Sequence, residues 1–233
     1  MGHSTRKLPP GQSRVEGFPR FGTHLSRPAP PVPADPVIAV RGVVAEDLDL
    51  PLTALSSLPR KEITADFHCV AGWSATDLRW EGVSFETFYR AVVKPALSPG
   101  TSVTHIKCRG LDGYEAAVTI EDILADDVLI AQNLNGRPLD SDHGAPVRLV
   151  SPSQYGYLNV KHLCHVEVLT RAPAITEGVL IRSHPRARVW EEERHGLLPG
   201  RVVRPFYRVL IRPIRMLCAL GARDRHTRRR PPR

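Results

Sequence analysis

A chain of 233 residues with 42% hydrophobic side chains can bury a real core without disulfide staples. The formal net charge of +8 gathers at the ends, in ARDRHTRRRPPR at the C-terminus and in Arg6, Lys7, Arg14 and Arg20; with no zinc-finger, helix-turn-helix or aromatic RNA-binding pattern beside it, this charge reads as solvated tails and not as a nucleic-acid surface. No apolar run is long enough to span a membrane, MGHSTRKLPPGQSR has no export-type apolar segment, and Cys69, Cys108, Cys164 and Cys218 form no CxxC pair, so the expected location is cytoplasmic and reducing.

Residues 1–36 are proline-rich and end in SRPAPPVPADP, an extended lead-in that wraps or dangles. VIAVRGVV (37–44) is the first predicted strand. Leu52, Leu55 and Leu58 fall at helical spacing and stop at Pro59. KEITADFH (61–68) places Ile63, Ala65 and Phe67 on one face of a strand that ends at Cys69. Ser84 is a predicted N-cap, with Val83 and Phe88 as a hydrophobic staple and Pro95 as the limit of the helix.

SVTHIKC (102–108) and Tyr114 to Val118 are strands around a Leu111-Asp112-Gly113 turn. Thr119 and Asp122 match a capping box in acidic form, opening a helix that ends near Asp126. VLIAQNLNGRPL follows, with Asn135-Gly136 as a hairpin turn. PVRLV (146–150) and VKHLCHVEVL (160–169) are two more strands. Strands and short helices alternate without regular βαβ spacing, which predicts an α+β fold with mixed sheets over 37–172.

Residues 173–233 form a charged extension. HPRARVWEEERHGLLPG reads as a short helix or an ordered loop, and RPFYRVLIRPIRMLCALGA alternates arginines with apolar residues around Pro213. That run is either a basic amphipathic helix making peripheral membrane contact through 201–233, or a helix docked on the chain's own core with its arginines outward; the docked reading is preferred.

Cys69 presents two readings. Cysteine is among the most buried residue types, yet its thiolate is a soft metal ligand. One thiolate cannot hold a metal alone, so further ligands and a cradle for a large anion would have to accompany it. Three segments offer such a cradle: DHGAPVRLV, with His143 and Arg148; QYGYLNVK, with a glycine between tyrosines and Lys161; and CRGLDGY, with Arg109. Each of these residues taken singly also fits an ordinary surface or turn role.

Together and in order, ADFHCVAGWS, the DGY turn, DDVLIAQNLNGRPL and HGAPVRLVSPSQYGYLNVKHL resemble the molybdopterin-binding domain of the sulfite oxidase family in its short bacterial form, over roughly residues 37–170. The resemblance implies a Mo-molybdopterin cofactor. It implies that Cys69, in the HC-x-x-x-W-S segment, binds molybdenum while the pterin dithiolene supplies the other sulfurs. It further implies that His143 contacts the cofactor, that Arg148 holds its terminal phosphate, and that Asn159, Val160 and Lys161 close the phosphate pocket. The turn before DGY would add a contact around Gly110, where relatives often carry serine or threonine, and His68 would shape the wall beside Cys69.

Tyr114, Tyr155 and Tyr157 are candidate donors near the metal, the first two as catalytic residues. Relatives commonly carry tryptophan where His162 stands. The arginine set that recognises sulfite in animal-type relatives has no place in these motifs. The implied activity is two-electron oxygen-atom transfer on a small sulfite- or S-oxide-like substrate, with an unidentified electron-transfer partner. The alternative is a non-catalytic cofactor- or ligand-binding module on the same fold.

Overall fold

The computed structural model describes residues 7–20, 29–173, 183–209, 211–213 and 216; Cys218 and most of the basic tail lie outside them. Two sheets form from runs whose apolar residues recur at every second position. The first has the spatial order β3 (Leu48–Pro51), β2 (Val37–Gly42), β11 (Leu163–Leu169), β6 (His105–Gly110) and β7 (Glu115–Thr119). Its β2–β11 pair is parallel and the other pairs are antiparallel. Ile38, Val40, Ile106, Cys108, Val166 and Val168 are fully buried on its inner face, while Lys107 reaches Glu167 at 2.6 Å on the outer one. The predicted 102–108 strand is displaced to 105–110.

The second sheet is organised by β5 (Trp73–Ser84), a twelve-residue strand. On it pair β4 (Arg60–His68) and β8 (Leu129–Leu134), both antiparallel, and β10 (Arg148–Val150) continues antiparallel beyond β8. Asn135 and Gly136 both take positive φ, 52° and 75°, and close the hairpin from β8 to β9 (Arg137–Pro138). β1 (Ser13–Arg14) lies parallel to the start of β5, so the lead-in wraps at this point.

The helical elements are short. Ser84 caps α1 (Phe85–Phe88) by accepting from the Thr87 amide at 3.0 Å, and the chain continues through a wider π turn and a 3-10 turn to Ala96. Thr119 caps α2 (Ile120–Ile123) by accepting from the Asp122 amide at 3.2 Å. Leu52–Ser57, at predicted helical spacing, is a 3-10 turn that buries Leu55. Residues 183–199 form an ordered loop ahead of α3 (200–209), and 211–213 and 216 continue the helix.

The strand expected over 160–169 begins only at Leu163. Residues 160–162 instead make a turn in which His162 takes φ 54°. That turn lies against the segment leading into β10: the amides of Leu149, His162 and Leu163 donate to the carbonyls of Val160, Gly144 and Val147. The HGAPVRL and YGYLNVK segments are thereby laced together at the junction of the two sheets.

Candidate cofactor site

Cys69 ends β4 at a tight turn. Its amide donates to the Trp73 carbonyl and the Gly72 amide donates back to the Cys69 carbonyl, both at 2.9 Å, and Gly72 takes φ 105°, which glycine alone adopts readily. The thiol is 8% exposed, and burial pushes its pKa up to about 12, against smaller opposing effects of the Ala71 amide and Arg194. Burial thus favours the neutral thiol, and a bound cation would be needed to keep Cys69 as thiolate.

A hydrogen-bond chain fixes the turn. His68 Nδ1 lies 2.8 Å from Ser74 Oγ, Ser74 Oγ donates to Gln12 Oε1 at 3.0 Å, and Gln12 Nε2 donates to the Cys69 carbonyl at 3.1 Å. Burial lowers the His68 pKa to about 4, with Asp66 opposing, so the ring is neutral near pH 7.

Arg148 is fully buried. Its guanidinium donates to three carbonyls, of Leu149 at 3.3 Å, His143 at 3.0 Å and Asn159 at 3.2 Å. It stacks near the rings of Trp80, Phe67 and Phe18 at 5.3, 5.5 and 5.9 Å. Among the described residues no carboxylate pairs with it. Burial draws its pKa down to about 9, which still leaves a cation at neutral pH.

Lys161 adds a second cation. Its Nζ donates to the Asp142 carbonyl at 2.7 Å. Burial, then Arg148 and Arg20, pull its pKa down to about 7. A buried charge without a counterion costs several kcal/mol; Arg148 is such a charge, and the half-buried Lys161 beside it, only partly offset by Asp142 and Asp112, completes a cradle for an anion. Gly144, with φ 107°, makes the pinch possible: a Cβ there would stand 3.0 Å from Lys161 Cβ and 3.2 Å from Arg148 Cβ.

The remaining candidates divide. His143 belongs to the cradle; its Nδ1 lies 2.8 Å from Asp140 Oδ1, its Nε2 lies 2.9 Å from the Phe18 carbonyl, and its ring sits 4.8 Å from the Phe18 ring. Gly110 is held by close approach, since a Cβ would stand 2.3 Å from the Lys161 carbonyl oxygen; serine or threonine would not fit. Val160 is core. The Asn159 side chain is spent on the Ser151 backbone, accepting from its amide at 2.7 Å, and only its carbonyl reaches Arg148.

Tyr155 is fully buried with its pKa raised by burial to about 12. Its hydroxyl makes no well-formed hydrogen bond among the described residues, although Gln12 polarises it. The Tyr114 hydroxyl is committed to the Tyr157 carbonyl at 2.6 Å, and the Tyr157 hydroxyl to the His184 carbonyl at 2.8 Å. His162 packs its Nδ1 on the Ala145 carbonyl. Arg109, offered by sequence as a cradle residue, instead lies on the exposed side and bonds His165 at 2.8 Å.

Three residues escaped the sequence reading. Phe18 packs on Phe67, Trp80 and His143 and makes the lead-in a wall of the cradle. Gln12 ties that lead-in to the Cys69 turn. Arg194, from the C-terminal extension, is fully buried; it donates to the carbonyls of Val70 and Pro10, pairs with Glu192 and lies 5.2 Å from the Tyr155 ring centre. Only an aromatic residue inside a proline-rich stretch and a basic residue inside an acidic run hinted at these roles.

Residues 26–175 match the family described as oxidoreductase molybdopterin binding domain. The chain belongs to this family. Among curated proteins it is 33% identical over 127 residues to the uncharacterized oxidoreductase YuiH of Bacillus subtilis (strain 168), covering 54% of this chain and 61% of that one. It is 25% identical over 162 residues to the sulfite oxidase of Arabidopsis thaliana, covering 57% and 41%. It is also 24% identical over 158 residues to the protein-methionine-sulfoxide reductase catalytic subunit MsrP of Gluconobacter oxydans (strain 621H), covering 60% and 48%.

Among solved structures, the sulfane dehydrogenase SoxCD of Paracoccus pantotrophus shares the fold, with TM-score 0.54 and 21% identity over 66% of this chain and 43% of that one. The chain thus spans roughly half the length of the curated relatives named here. The α+β, sulfite-oxidase-type architecture expected from sequence is the one observed.

The molybdopterin-binding family's cofactor fits the residues present. The group is anionic and polar at one end, and the site offers Arg148, which pairs with no carboxylate among the described residues, and Lys161, together with the buried Trp80 Nε1, which has no hydrogen-bond partner among the described residues and whose ring lies 5.3 Å from the Arg148 guanidinium. An unsatisfied buried donor is rare, and this one lies where a ligand could complete it.

Proposed function

We propose that this chain is a molybdopterin-dependent oxidoreductase that carries out two-electron oxygen-atom transfer on a small sulfite- or S-oxide-like substrate, with Cys69 as the protein's ligand to molybdenum. The observation that carries the reading is Arg148: a fully buried guanidinium whose hydrogen-bond partners are all carbonyls, beside Lys161, and 5.5 Å from the ring of Phe67, two residues before Cys69.

The bound group supplies the redox chemistry; the protein's tasks are to hold, orient and shield. Arg148 and Lys161 take the phosphate, each charge-assisted bond contributing about 1.5–3 kcal/mol. Gly144 and Gly110 let the backbone close on it. His143, stapled between Asp140 and the Phe18 carbonyl, orders the wall beside it. Phe18, Phe67 and Trp80 exclude water, and the Tyr155 hydroxyl, kept protonated by burial, is the donor available to a substrate oxyanion. An unidentified electron-transfer partner would complete the cycle. The inferred location is cytoplasmic, in keeping with the free thiols of Cys69, Cys108 and Cys164.

Metal and pterin analysis of protein purified from a host that makes molybdopterin tests the reading. The expected result is molybdenum and pterin in the parent, and pterin retained with a lost sulfur-to-metal spectroscopic signature and abolished dye-linked turnover in Cys69→Ser. Folded parent protein free of both molybdenum and pterin refutes it.

A further inference from the structure

Helix α3 and its continuation carry two different stripes. Val203 and Tyr207 are buried, Ile211 packs on the core cluster around Cys69 and Trp73, and the Tyr207 hydroxyl donates to the Arg194 carbonyl at 3.4 Å. That stripe docks the helix. The opposite stripe holds Val202, Phe206, Val209 and Met216, which are 51%, 71%, 74% and 69% exposed. Steps of four, three and seven residues keep them on one face.

Arg201, Arg208 and Arg212 flank this face and are exposed. Among the described residues none of the three has a carboxylate partner, whereas the inward Arg204 is paired with Glu192 at 2.7 Å. From Gly200 to Met216 the sequence contains no Asp or Glu, and the segment after it adds six more arginines against one aspartate. Contiguous exposed apolar side chains rimmed by cations mark an interaction surface.

We propose that this face docks in the interfacial region of an anionic lipid membrane. The charge is complementary to phosphate and carboxylate headgroups, and Phe206 with its neighbours supplies the apolar side that enters the acyl boundary. No described helix is long and apolar enough to cross a membrane, so the contact is a surface one. Docking has a consequence for the cofactor site. Arg208 Cγ lies 3.8 Å from the position a Cβ on Gly72 would occupy, so the face that meets the lipid is on the far side of the helix covering the Cys69 turn. The inference is independent of the proposed redox chemistry.

The test is flotation of the full chain with vesicles of phosphatidylcholine alone and with about 30% phosphatidylserine added. The expected result is flotation with the anionic vesicles only, falling about tenfold or more in Phe206→Glu/Val209→Glu, the scale of losing two buried apolar side chains. The variant's melting temperature should be unchanged, because both positions are exposed. A triple variant, Arg201→Gln/Arg208→Gln/Arg212→Gln, should lose binding as added salt makes the parent lose it. Three results would overturn the proposal: a parent that does not float, a Glu variant that floats as well as the parent (leaving the basic tail as the sole anchor), and binding that requires a membrane protein in place of anionic lipid.

Discussion

Lys161→Met should stabilise the cofactor-free protein at neutral pH. In the unfolded chain the ammonium keeps its proton up to about 10.5, whereas in the folded protein burial, Arg148 and Arg20 bring that down to about 7. Between those values the unfolded state binds more protons, so stability rises with pH across the window and the penalty is complete below it. At about 1.4 kcal/mol per tenfold, the penalty at pH 7 is roughly 4 kcal/mol as an upper bound. Removing the hydrogen bond to the Asp142 carbonyl takes back about 1 kcal/mol, and water access to the half-buried side chain trims the remainder. The expected net gain is roughly 2–3 kcal/mol at pH 7, shrinking towards zero by about pH 10.5. Urea unfolding of parent and variant across that range measures it. A variant less stable than the parent at pH 7, or a difference that does not change with pH, would refute the idea that Lys161 is an anion-seeking cation.

Arg148→Met should abolish pterin retention, since losing a forked phosphate contact removes roughly 3–6 kcal/mol of binding; the melting-temperature difference between loaded and empty protein reads it. Gly156→Ala would drive a methyl to within 2.2 Å of the Phe67 ring, and an overpacking loss of roughly 1–3 kcal/mol should appear in denaturant unfolding. Arg194→Met removes three buried donor contacts; limited proteolysis should then cut within 183–209 while the two sheets stay protected, and resistance equal to the parent's would remove Arg194 as the clasp.

Much of the fold is readable where a local rule agrees with the tertiary one. Ser84 and Thr119 cap as their sequence contexts require, Asn135-Gly136 turns as expected, and Ile38/Val40 and Val166/Val168 alternate into one core. The long strand β5 is not readable. Its pairing shifts register opposite Ala65/Phe67 and between Glu81 and Gly82, and Asp77 takes φ 59°. Asp and Gly signal a turn in sequence, and here they sit at irregularities within a strand.

The same limit applies to the site. The cradle cations lie in ordered motifs and are legible. Phe18, Gln12 and Arg194 act from segments whose composition says tail, and only distant pairing brings them in.

The clasp on the Cys69 turn joins residues 184 positions apart, Pro10 and Arg194. A chain made from its N-terminus cannot close that contact until Arg194 has emerged. The two sheets can form from residues up to Leu169 well before then, leaving a stage in which the cradle exists and its outer covering does not. During this interval the Cys69 turn lacks the Arg194 contacts to Val70 and Pro10. Shortening either end would prolong the open stage at the same place.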